Sequence, residues 1–265
     1  MSRILWFLPL CLILQDRRSV PEPLQPAIRT DIVVPLEKEI GNSTVSSLEN
    51  LLATQPTQFL QNCLDRYDRE VHGYTVLFRK QERIRGKLQT LEKIQVEFRE
   101  KPYSVVFNWK EGAGLASKVM YVEGENDNKM LARAIFTFKK DPEGAEATAN
   151  SHYTIKQFGM KLALERTLAS MRKAEANGTL HLKYLGHVRV PELHDRLCYK
   201  FIRTPYDPPE NHGVNELIIY IDKELELQVG SVLRDSKGEL ISQYFFADVH
   251  LNPEYTKEQF TAKGF

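Results

Sequence analysis

The chain has 265 residues, and its 36 lysines and arginines against 35 aspartates and glutamates leave a formal net charge of +1. A near-neutral balance offers no bulk attraction to a polyanion, so nucleic acid is not an expected partner. Composition is that of an ordinary globular protein, long enough for one large domain with a substantial core.

The chain opens MSRILWFLPLCLILQDRRS, where Arg3 precedes an apolar run from Ile4 to Leu14. The run is too short to span a bilayer and has the length of a signal-peptide core, so residues 1–18 are expected to direct export. Cys11 lies inside the run after Leu8-Pro9-Leu10, not after small residues at its end, which argues against lipid attachment there. Residues 19–45, with Pro21, Pro23, Pro26 and Pro35, read as a linker, and 46–265 as the folded body.

Leu48, Leu51 and Leu52 begin a helical pattern. Thr54 and Pro56 suit a new helix start, after which Phe59, Leu60, Cys63, Leu64, Tyr67 and Val71 recur at helical spacing up to Gly73. From Tyr74 the period becomes two. Val76, Phe78 and Ile84 share one face of a strand, and Leu88, Ile94, Val96 and Phe98 follow the same rule after a turn at Gly86. Next, KPYSVVFNWK puts Tyr103, Val105, Phe107 and Trp109 on one face, with only Val106 breaking the alternation. SKVMYVEG and KMLARAIFTF complete a meander of five expected strands, which must be antiparallel. A helix over Phe158 to Ala176, with Leu162, Leu164, Leu168 and Met171 on its apolar side, ends at Asn177-Gly178. Strands resume at 180–190, 197–204, 215–222, 225–233 and 240–251.

Ten expected strands and about three helices define an α+β protein built on one large curved sheet or open barrel. Phe98, Tyr103, Phe107, Trp109, Phe136, Phe138, Tyr199, Phe201 and Phe245 all belong to apolar faces, and the helices are too few to cover ten strands. A sheet curling round that surface encloses either a filled core or a hydrophobic cavity, and periodicity does not separate the two.

No catalytic or metal-binding constellation emerges. HExxH, CxxC, GxSxG and Walker patterns are absent, and the seven histidines are scattered. Glu125 to Asn128 offers oxygen ligands in a tight loop but lacks the spacing of a calcium hand. Cys63 and Cys198 read as small buried hydrophobes, and a Cys/His pairing of Cys198 with His194 or Cys63 with His72 has no orienting third group. Arg79, Arg83, Arg85 and Lys87 share one strand face with Gln81, either to meet headgroups or an acidic partner or as a solvated outer face that discourages edge pairing. No catalytic residue, metal or cofactor is therefore expected.

The segments GYTVLFRKQERIRGKL, IQVEFREKPYSVVFNWKEGAGLASKVMYVEGENDNKML and YIDKELELQVGSVLRDSKGELISQYFFADVHLNPEYTKEQF resemble a family of bacterial exported proteins known as a conserved domain of unknown function. Gln81-Glu82-Arg83, Phe98-Arg99 with Lys101-Pro102, Tyr121 to Gly124, Tyr220-Ile221-Asp222 and Leu251-Asn252 carry the resemblance in combination. That family is similar in turn to the lipoprotein-localisation-factor superfamily of periplasmic lipoprotein carriers. The resemblance implies an unclosed antiparallel β-barrel with helices over its concave face, holding a lipid or the acyl chains of a lipoprotein in the periplasm or cell envelope. In such a fold Phe98, Tyr103, Val105, Phe107, Trp109, Phe201 and Phe245 are expected in the cavity wall, with Leu164, Leu168 and Met171 in the cover. The expected partners are a lipid or acylated protein and a membrane-associated donor or acceptor. The alternatives are a periplasmic sensor or protein-interaction module on the same fold, and a hydrolase using Cys198 or Cys63.

Overall fold

A computed structural model describes residues 32–33 and 43–265. The leader at 1–18 and most of the segment read as linker lie outside the described residues. Within that segment, β1 (Ile32–Val33) pairs with a later strand and α1 (Ser43–Thr54) begins before residue 46. Pro56 occupies the first turn of α2 (Pro56–Glu70), whose Phe59, Leu60, Cys63, Leu64 and Tyr67 are buried as their spacing requires. Asn252 closes its far end: its Oδ1 accepts the His72 N–H and its Nδ2 donates to the Glu70 carbonyl, both at 2.7 Å.

The first meander is β2 (Gly73–Ile84), β3 (Lys87–Leu88), β4 (Glu92–Arg99), β5 (Ser104–Glu111), β6 (Lys118–Val122), β7 (Met130–Arg133) and β8 (Thr137–Lys140). After α3 (Ala145–Thr148) and α4 (Met160–Ala176) comes the second: β9 (Leu182–Val190), β10 (Arg196–Arg203), β11 (Glu216–Asp222), β12 (Gln228–Arg234) and β13 (Leu240–Leu251). All pairings are antiparallel, and the thirteen strands form one sheet in the order β1-β9-β10-β11-β12-β13-β2-β4-β5-β6-β7-β8, with β3 flanking β2. The two meanders join where the last long strand lies on the first, Phe246 opposite Phe78 and Ser242 opposite Glu82. The path ends at β1 and β8, so the curved sheet is unclosed, and α1, α2 and α4 pack on its concave face.

One expected strand is two. Met130 to Phe138 turns back on itself at Ala134, whose N–H bonds the Phe136 carbonyl, so Arg133 pairs with Thr137. Ile135 and Phe136 stand at the hairpin tip, 91% and 75% exposed, and Phe136 joins no apolar face. On β2, Tyr74, Val76, Phe78, Lys80 and Glu82 face the helices while Thr75, Leu77, Arg79, Gln81 and Arg83 face outward, as alternation demands. Part of the outer basic row is engaged internally: Arg79 donates to the Glu192 carbonyl at 3.1 Å, and Arg83 donates to the Leu240 carbonyl at 2.9 Å and approaches Glu239.

The convex face is also partly covered. The C-terminal segment lays Phe260 and Phe265 over Val106, Met120, Val122 and Leu131. Arg99 stacks over Phe260 at 4.6 Å, and Lys118 and Arg133 flank Phe265. Val106 interrupts the alternation of β5 because its own face is buried under this strap. Among the described residues no helix is long and apolar enough to cross a membrane.

Candidate ligand-binding cavity

Two tyrosines fix the segment that roofs the concave face. The Tyr103 hydroxyl lies 2.7 Å from the Ile155 carbonyl and 2.9 Å from that of Phe158, and the Met160 N–H donates to the Tyr74 hydroxyl at 3.2 Å. Gly159, at φ 133°, passes over the Tyr74 hydroxyl and the Phe98 ring, where an added Cβ would already be in contact at 3.5 and 3.6 Å. The chain so held drops Phe158 onto the sheet, its ring centroid 4.9 Å from Phe107, 5.1 Å from Phe78 and 5.8 Å from Phe246. Beside it opens a cavity of about 410 Å³. Phe78, Ile94, Phe107, Trp109, Tyr244 and Phe246 form its sheet wall, residues 151–159 its roof, and Ala163, Thr167 and Ser170 one stripe of α4 its side.

One end of the cavity is polar. Lys80 Nζ lies 3.4 Å from Glu82 Oε2 and 3.1 Å from Glu92 Oε1, and donates to Ser151 Oγ at 3.3 Å. The Tyr244 hydroxyl donates to Glu82 Oε1 and the indole N–H of Trp109 to Glu92 Oε2, both at 2.6 Å. His152 stands beside them, its ring 4.1 Å from that of His212. Burial holds the His152 ring below its ordinary value, against the attraction of Glu82.

A family model described as "Protein of unknown function (DUF1571)" matches residues 71–264. The chain belongs to this family. No curated protein matches it. Among solved structures, the DUF1571 chain is similar to MucB, at 16% identity and a TM-score of 0.50 over 79% of this chain and 63% of that one. The MucB of the Pseudomonas aeruginosa MucA/MucB complex aligns at 16% identity and TM-score 0.46, over 78% and 61%. A LolA superfamily protein from Nitrosomonas europaea aligns at 9% identity and TM-score 0.32, over 78% and 99%. The chain thus spans less than two thirds of the MucB chains, and at these identities the likeness is one of fold.

Of the residues singled out in the sequence, the DUF1571 domain brings Phe107 and Trp109 to the cavity surface. Tyr103 anchors the roof. Phe98 stacks on Tyr74 at 4.7 Å beneath Gly159, and Val105 is buried opposite Phe98 and Tyr121. Leu164, Leu168 and Met171 lie on the stripe of α4 that packs with Phe59, Leu60 and Phe201, beside the stripe that meets the cavity. Phe245 sits on the convex face: it is paired with Arg79, and it overlies Gly230, where any Cβ would lie 2.8 Å from its ring. Cys63 and Cys198 are free and buried, and burial pushes both thiols up to about 12, far from the thiolate range. In the Glu125 to Asn128 loop, Asp127 pairs with Lys139 at 2.7 Å.

Sequence reasoning missed Phe158, Tyr244, Phe246, Lys80, Glu82, His152 and Gln228. One signal was present. Lys80 and Glu82 continue the apolar parity of Tyr74, Val76 and Phe78, and a charged pair on an inward face marks a polar cavity end.

Proposed function

We propose that this domain is a non-enzymatic binder of one acyl chain, taken from a lipid or an acylated protein and held in the cavity under α4 with Phe107 and Trp109 in its wall. The observation that carries the reading is the cavity: its volume of about 410 Å³ falls within the range of small-molecule sites, and aromatic rings from both sheet and roof surround it. Ten methylenes placed there contribute roughly 8 kcal/mol at about 0.8 kcal/mol each, before the ordering costs of association. On this reading the protein works in the periplasm or cell envelope and exchanges its guest with a membrane-associated donor or acceptor.

The test is mass spectrometry of an organic extract of the full chain, purified from an exporting host without detergent. A stoichiometric lipid or fatty acid is expected. A folded Phe107→Asp, Trp109→Asp variant that still takes up lipid would remove those residues from the site. A second reading, a sensor or protein-interaction module, draws on MucB, the similar fold that has also been solved with MucA. A clean extract together with a stoichiometric co-purifying protein favours it.

A further inference from the structure

Three of the four large apolar side chains exposed among the described residues gather at one end of the sheet. Leu115 is 93% exposed and stands in the turn between β5 and β6, while Ile135 and Phe136, 91% and 75% exposed, tip the hairpin of β7 and β8. Backbone hydrogen bonds tie the two turns side by side. The Ser117 N–H donates to the Arg133 carbonyl and the Trp109 N–H to the Ser117 carbonyl, both at 2.9 Å. Scattered apolar side chains on a surface need no explanation, but three on adjoining turns mark a surface that is covered in use.

The charge around these tips has one dominant sign. The turn between β2 and β4 lies at the same end of the sheet, since Lys80 pairs with Glu92 and Lys93 with Glu111. Over residues 84–91, 110–117 and 132–137 the charged side chains are Arg85, Lys87, Lys110 and Arg133, all exposed, against Glu111 alone, which Lys93 holds at 2.8 Å.

We infer that this end of the sheet docks on an anionic bilayer surface, with Leu115, Ile135 and Phe136 entering the headgroup boundary and Arg85, Lys87, Lys110 and Arg133 meeting acidic headgroups. Apolar tips gain by leaving water for that boundary, and each cation gains from the negative surface potential. A folded protein partner fits less well: three side chains on hairpin tips fall short of the roughly 800 Å² per partner that a stable protein interface buries. The inference goes beyond the acyl-chain reading and stands without it. Its consequence for the cavity is one of orientation. Trp109 in the cavity wall is bonded through its backbone to the turn that carries Leu115, so docking sets the polar end of the cavity beside the lipid.

The test is co-sedimentation of the full chain with vesicles of phosphatidylcholine containing about a third phosphatidylglycerol, and with vesicles of phosphatidylcholine alone. The parent is expected to prefer the anionic vesicles. A Leu115→Ser, Ile135→Ser, Phe136→Ser variant should bind both kinds at least about tenfold more weakly, any contribution of residues 1–18 being common to variant and parent. Lys87→Gln and Lys110→Gln should each cost about fivefold on anionic vesicles and leave binding to phosphatidylcholine unchanged. In a Phe136→Trp variant, the emission in excess of the parent's should shift to the blue on anionic vesicles. All these positions are exposed, and circular dichroism checks that the variants fold. A parent that sediments with neither vesicle, a serine variant that sediments as the parent does, or an unshifted Trp at position 136 would overturn the inference. So would a parent that elutes as an oligomer beside a monomeric serine variant, which would assign the tips to contacts between copies. A lipid in the organic extract without vesicle binding would overturn this inference alone, and vesicle binding with a clean extract would leave it standing without the acyl-chain reading.

Discussion

Truncating Phe158 to alanine tests how the roof is held to the sheet. The ring is buried, and its centroid lies within 6.0 Å of four others, those of Phe78, Phe98, Phe107 and Phe246. Phe→Ala in a packed core costs about 3–5 kcal/mol, and aromatic pairs of this kind contribute roughly 0.5–1.5 kcal/mol each beyond their area. One side of Phe158 already borders the cavity, so part of its surface gives up no packing when removed, and the lower end of the range applies, about 3 kcal/mol. With an m-value of about 2–3 kcal/mol/M in urea, the unfolding midpoint should fall by roughly 1 M at unchanged m. Urea titration followed by circular dichroism and by Trp109 fluorescence measures it. A loss below about 1 kcal/mol would refute the packing argument, since no core phenylalanine in contact with four rings is removed so cheaply.

Tyr103→Phe removes the hydroxyl bonded to the roof carbonyls and should cost about 1–2 kcal/mol, with faster amide exchange confined to residues 155–160; unchanged exchange there would deny Tyr103 its anchoring role. His152 and His187 are both held below the ordinary 6.5 by burial, the latter despite Glu49 at 3.0 Å, so the unfolded chain binds more protons as pH falls. Their contribution to stability is complete above pH 6.5 and is lost on acidification through their folded values; a His152→Gln, His187→Gln double variant should flatten that slope, and an identical slope in the variant would contradict it. Cys63 and Cys198 should resist a thiol-specific reagent at pH 8 until the protein is denatured, and rapid native-state labelling would show that the thiols are not sealed. Phe260→Ala should cost about 3 kcal/mol by uncovering Val106 and its neighbours, and a thermal melt superimposable on the parent's would mean that the C-terminal strap does not bear on stability.

The meanders were legible because alternation is a local property. β4 and β5 could be placed, and Phe107 and Trp109 assigned to the inner face, from spacing alone. Parity failed where it is ambiguous. Tyr244-Phe245-Phe246 is an unbroken aromatic run, so its register on β2 and Gly230 decides which ring faces inward, and Phe245 is the one that does not. The stripe of α4 containing Leu164, Leu168 and Met171 is legible as apolar, but its partner is α2, a choice made by long-range packing. The roof is an irregular segment fixed by hydrogen bonds to Tyr74 and Tyr103, so Ser151, His152 and Phe158 follow no period that could expose them. Val106 was visible only as a break, since the strap that buries it comes from the far end of the chain.

The seam between β13 and β2 has a consequence for how the molecule is made. Glu82 and Tyr244, which meet across it, are 162 residues apart in sequence, and contacts of such separation are closed late and slowly. Each meander can form from its own nearest neighbours while the chain is still emerging. The pocket cannot, because its floor is shared between them and the final long strand supplies Tyr244 and Phe246. A nascent chain that has not yet delivered Leu240 to Leu251 holds two separate sheets, each with an unpaired edge and an uncovered apolar face. Competence to take a guest therefore arrives in one step, once Leu240 to Leu251 has been added, and a premature stop even a dozen residues before Leu251 should yield an aggregating chain and not a weakened binder.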